Sequence, residues 1–144
     1  MLCKELQFGD WCCDLHGFPM QITTVGEDYA YATFEGNEGD PWEFNDKDDQ
    51  PCAIEITPDL LKANGWKIYT NSLPQSFKDY CYVKDESGNH LMWNSDVLSI
   101  WLDWEKDKDD EAFADIAIPI KYVHQLQQAL RLAGMTELAN SFKI

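Results

Sequence analysis

Apolar and polar residues alternate along much of this chain, then recur every third or fourth position near its end. Alternation sends successive side chains to opposite faces of a strand, whereas the longer period draws one stripe along a helix. Phe8-Gly-Asp-Trp-Cys-Cys13 reads as a first strand closing near His16-Gly17, and Gly17-Phe-Pro19 as a turn. Met20, Ile22 and Thr24 share one face of a second strand, and Val25-Gly-Glu-Asp28 is a second turn. Tyr29, Tyr31 and Thr33 then alternate with Ala30, Ala32 and Phe34. Residues 35–51 read as a loop rich in glycine, asparagine and acid, pinned by Trp42 and Phe44, and Cys52–Ile56 reads as another short strand.

The segment Ile56–Trp66 carries the sharpest local signals. Thr57 suits a helix N-cap, Pro58 the first helical position, and Asp59 complements the helix dipole. Ile56 and Leu61 are spaced as a hydrophobic staple and Gly65 is a stop, which predicts a helix over 58–64. Tyr80–Lys84 and His90–Asn94 flank a glycine-containing loop and predict a hairpin. In the strand from Val97 to Trp104, Leu98, Ile100, Leu102 and Trp104 take the core face, opposite Val97, Ser99, Trp101 and Asp103. A charged turn over 105–111 and a last strand over Phe113–Ile118 follow. From Pro119 a helix runs to Ala133 with Val123, Leu126 and Leu130 on its stripe, and Gly134 stops it. Thr136–Asn140 is a second helical turn, after which Phe142 and Ile144 dock. The pattern as a whole predicts a single α+β domain over residues 1–144. Its small antiparallel sheet, or partly open barrel, is built from the N-terminal meander and the later hairpin. A short middle helix and a C-terminal helix pack it.

Charge adds a constraint that the pattern lacks. Eleven Lys and Arg stand against 26 Asp and Glu, a net charge of −15. That balance repels nucleic-acid phosphates and anionic membrane surfaces, so neither is an expected partner. Residues 27–59 hold eleven acids and one base, Lys47, whereas 116–144 hold only Glu137 against Lys121, Arg131 and Lys143. The five cysteines are odd in number and form no CxxC pair, which argues against a secreted disulfide framework and for a reducing, cytoplasmic setting. The first residues hold no signal-peptide apolar region, and no apolar run is long enough to span a bilayer.

No phosphate loop, nucleophile elbow or zinc-protease motif is present, which lowers the weight of an enzyme; no catalytic residue, metal ligand or cofactor is assigned. The carboxylate groups Asp46, Asp48, Asp49 and Asp107, Asp109, Asp110, Glu111 both lack the glycine of a calcium loop and read as solvated loops. Cys13, Asp14 and His16 fall short of a zinc set, and His124 reads as a hydrogen-bonded residue at the core boundary.

Ile120-Lys-Tyr-Val-His-Gln-Leu-Gln127, Ala129–Ile144 and Ile54–Trp66 resemble corresponding segments, in the same order, of a set of small uncharacterised proteins from gut-dwelling anaerobic bacteria, their phages and mobile elements. The resemblance implies a cytoplasmic, mobile-element-associated protein and no activity. The acidic stretch 35–51 departs from it.

The expectation for function is an accessory protein that binds a protein partner through an acidic surface, the partner being basic by complementarity. A nucleic-acid mimic aimed at a basic protein, and a metal-dependent or other enzyme using the acidic loops, are the alternatives. Trp42, Asp46, Asp48, Asp49 and Trp101 are the candidate binding residues.

Overall fold

The computed structural model describes residues 1–69, 80–84, 88–94, 96–102 and 114–144. They form two compact units, one made of Met1–Glu55 with Tyr122–Ile144 and the other of Ile56–Lys121. Among the described residues each unit carries an open antiparallel sheet, with short helices in the first and one short helix in the second, an α+β fold with no closed barrel.

In the first unit a single 3-10 turn, Cys3–Glu5, precedes a four-stranded meander. Its strands are β1 (Trp11–Cys13), β2 (Pro19–Val25), β3 (Tyr29–Thr33) and β4 (Trp42–Asn45), in that order. Cys3, Leu6, Cys12, Met20, Ile22, Ala30, Ala32 and Phe44 form its core, so the small residues of β3 face inward and its tyrosines outward. The second strand departs from simple alternation. Its register with β3 shifts between Ile22 and Thr24, a bulge that turns Thr24 out to solvent and brings Val25 against the core. The predicted loop over 35–51 contains β4, in which Phe44 is fully buried opposite Ala30. Cys52–Ile56 is not a strand; Cys52 and Glu55 make isolated bridges to Cys13 and Tyr122.

Helix α2 (Val123–Leu132; α1 lies in the other unit) starts four residues after the expected Pro119. Pro119 instead ends a strand, where a missing N–H costs nothing. The N–H of Tyr122 donates to Gln125 Oε1 (3.1 Å), capping the first turn. Val123, Leu126 and Leu130 are fully buried, as their spacing predicts. Gly134 closes the helix at φ +83, with Gly134 N–H donating to Arg131 O (3.1 Å) and Met135 N–H to Leu130 O (2.8 Å). The short helix α3 (Thr136–Asn140) follows; Phe142 docks, while Ile144 stays 44% exposed.

The second unit opens with α1 (Pro58–Ala63). The Thr57 hydroxyl accepts from Leu60 N–H (3.1 Å), and Ile56 and Leu61 are both buried. A five-stranded meander follows, β5 (Lys67–Tyr69), β6 (Tyr80–Lys84), β7 (His90–Asn94), β8 (Val97–Trp101) and β9 (Ile116–Pro119). Cys81, Leu91, Trp93, Leu98 and Ile100 make the inner face, and the Trp93 indole donates to Ile120 O (2.9 Å). Leu102, expected inside, is 38% exposed. Asp103, Trp104, the charged turn with its acids and Phe113 lie outside the described residues. Among the described residues no helix is long and apolar enough to cross a membrane.

Candidate functional site

Two arrangements in the first unit bring polar side chains together. The first is buried. Asp10 is fully enclosed, and its carboxylate meets Arg131 Nη1 (2.6 Å), Gln128 Nε2 (2.7 Å) and the Gln7 N–H (2.8 Å). Gln127, also fully buried, accepts from Trp11 N–H (2.9 Å) and donates to Gly9 O (3.0 Å) and Ala139 O (3.1 Å). The Trp11 indole reaches Phe142 O (2.7 Å). These bonds fasten the segment before β1 to α2 and α3, while the buried Arg131 Nη2 has no partner among the described residues.

The second arrangement is open. Cross-strand pairing sets Tyr31 opposite Glu43 and Tyr29 opposite Asn45 on the outer face of β3 and β4. With Asp28 these residues line a shallow hollow of about 300 Å³. The two tyrosine rings meet edge to face, their centroids 5.7 Å apart. The Tyr29 ring lies over the backbone of Gly26, where a Cβ would collide with it, so glycine at the β2–β3 turn sets the ring's place. Asp28 and Glu43 supply the two carboxylates of the hollow, and Glu27, Glu35, Glu38, Asp40 and Asp48 of the same unit are exposed as well.

The candidate residues from sequence divide among distinct roles. Trp42, 44% exposed, donates its indole N–H to Asp49 Oδ2 (3.1 Å), so these two do meet. Asp46 is a tether instead, accepting from Cys3 N–H (2.7 Å) while its own N–H donates to Asp28 O (3.0 Å). Asp48 is exposed, and its N–H donates to Asn45 Oδ1 (2.7 Å), which shapes the turn. Trp101 belongs to the other unit, where with Tyr80, Tyr82, Lys84, His90 and Met92 it lines an outer-face groove of about 300 Å³. Tyr29, Tyr31 and Glu43 were not singled out by sequence. Alternation put both tyrosines on one face, but only the pairing of β3 with β4 brings the glutamate to them.

Four of the five thiols are held toward the protonated form. Burial, then the hydrogen bond and charge of Asp46, push Cys3 up to about 12, and burial raises Cys12, Cys13 and Cys81. His16 is exposed, and Asp14 accepts from the His16 and Phe18 N–H groups (2.8 and 2.9 Å), which makes it a turn residue. Among the described residues no three His, Cys, Asp or Glu gather as a metal set.

His124 is 6% exposed, lies parallel to the Tyr122 ring at 6.0 Å, and leaves Nδ1 without a partner among the described residues, contrary to the expected hydrogen bond. Burial lowers its affinity for a proton below the usual value of 6.5, against the opposing charges of Asp10 and Glu5. The unfolded chain therefore takes up that proton first. Stability from the neutral ring is complete above pH 6.5 and is lost as pH falls below it. Melting curves between pH 7.5 and 5.5 should show a decline that shrinks in His124→Leu, about the ordinary pKa of His. An unchanged slope would mean that His124 does not titrate with unfolding.

A scan against family models and searches of the curated proteins and of the solved structures return no match to this chain.

Proposed function

We propose that this protein is a binding module that receives a basic protein segment on the acidic, tyrosine-bearing face of β3 and β4. The observation that carries this reading is the hollow in which Tyr29 and Tyr31 stand beside Glu43 and Asp28. A lysine or arginine side chain can lay its aliphatic stem along a ring and place its charge near the carboxylates. Each such contact is worth only about 0.5–1 kcal/mol at an exposed site. Affinity therefore depends on several contacts along a basic segment. The unit supports that, with fourteen acids against four bases. Long-range attraction of this kind speeds encounter and weakens with salt.

The test is a titration of the whole protein with an arginine-rich peptide, followed by tyrosine and tryptophan fluorescence. Binding should weaken by at least about tenfold between roughly 0.05 and 0.5 M salt. Glu43 is exposed, so Glu43→Lys should leave the fold intact and weaken binding by about tenfold, equivalent to about 1.4 kcal/mol. No binding at low salt, or a Glu43→Lys variant that binds like the parent, would refute the reading.

A further inference from the structure

Cys13 and Cys52 stand directly opposite each other in a one-residue antiparallel bridge. Each donates its N–H to the other's carbonyl, at 2.9 and 2.8 Å. A pair that exchanges both bonds has its Cα atoms about 5.5 Å apart and its side chains on the same face. Disulfides span Cα separations of about 4.4–6.8 Å. The Cys13 sulfur already lies toward its neighbour, with Sγ 3.6 Å from Cys52 O and 3.9 Å from Ala53 O. Both residues are free thiols.

The geometry points to a reversible disulfide between Cys13 and Cys52, a redox site independent of the acidic surface. Facing Cβ atoms in such bridges sit about 4.5–5.5 Å apart, and a disulfide needs about 3.5–4.5 Å. Closing the bond therefore draws the two segments together and strains them, and strained disulfides are the easily reduced ones. Cys52 is the more exposed thiol and leads the reaction. Its thiolate attacks one sulfur of a low-molecular-weight disulfide, such as oxidised glutathione, and expels one small thiol. The Cys13 thiolate then attacks Cys52 Sγ and expels the second. Two protein thiols and one small disulfide become one protein disulfide and two small thiols, which carry off both protons. Burial and the neighbouring Cys52 and Asp14 hold the Cys13 thiol up, so the second step is the slow one. Cys3 and Cys12, by contrast, are fully buried in the core. The ring closed by the new bond contains β2, β3 and β4.

The experiment treats the intact protein with excess oxidised glutathione, counts free thiols, and maps peptides by mass without reduction. The expected result is a fall from five free thiols to three and one cross-linked peptide pair holding residues 13 and 52, reversed by dithiothreitol. The oxidised protein should melt roughly 3–8 °C higher, less than loop closure alone would give because strain in the bond offsets part of the gain. Cys13→Ser should stop at a glutathione adduct on Cys52. Retention of all five thiols, a stable adduct on Cys52 in the parent, or a cross-link through Cys3, Cys12 or Cys81 would overturn the assignment. The parent's peptide map decides this even if a variant folds poorly.

Discussion

Replacing Asp10 by alanine should destabilise the first unit by about 3 kcal/mol, read as a lower midpoint in urea with an unchanged slope. Asp10 is fully enclosed and accepts three hydrogen bonds, one from a guanidinium at 2.6 Å. Removing one partner from such a pair leaves the other charge desolvated, a loss of about 3–5 kcal/mol for a deeply buried pair. Arg131 keeps 16% of its side chain exposed, so water relieves part of the penalty and the lower end applies. Asp10→Asn, which keeps the size and one acceptor, should lose less. The double variant Asp10→Ala with Arg131→Met should lose less than the two single variants added, because neither charge is then stranded. Additive losses would mean that the 2.6 Å contact contributes nothing as a pair.

Phe44→Ala should cost about 3–5 kcal/mol, although its neighbours in sequence are almost all polar or acidic. Phe44 has no exposed surface and stands opposite Ala30, filling space that the small inward residues of β3 leave open. Truncation would leave a hole that neither Ala30 nor Ala32 can fill. Trp42→Ala, two positions earlier, should cost under about 1 kcal/mol, since it loses an exposed ring and one hydrogen bond to Asp49. Urea unfolding of both variants checks the contrast, and equal losses would contradict the burial pattern. Phe44→Ala should also loosen the tyrosine hollow, because Glu43 and Asn45 flank it on β4.

Phe44 and Asp10 also mark the limit of what local sequence carries. Thr57, Pro58 and Gly65 act on groups within a few positions, so α1 was legible from them. The stripe of α2 was legible for the same reason, and so was the β6–β7 hairpin. The fourth strand was hidden because only Phe44 faces fully inward there, and one apolar residue makes no alternation. Asp10 and Gln127 are hidden because the partners that tie them across the fold, Gln128 and Arg131 for the one and Gly9 and Trp11 for the other, are more than a hundred positions away, so in sequence they look like any surface polar group. The bulge in β2 breaks the period without changing composition, so alternation alone puts Thr24 on the wrong face. Asp28 and Glu43 enter the sequence only as two of the eleven acids of 27–59, and the hollow depends on which residue of β4 lies beside Tyr31, a matter of register.

The far separation of Asp10 from Arg131 has a consequence for synthesis. When the nascent chain has left the ribosome as far as Lys121, the segment around Trp11 still lacks the residues that fasten it. The later unit, Ile56–Lys121, is by then complete in sequence and free to fold first. The earlier one closes only when the final turns of α2 emerge, and a premature stop before Arg131 would strand a lone carboxylate where the native protein has a charge partner.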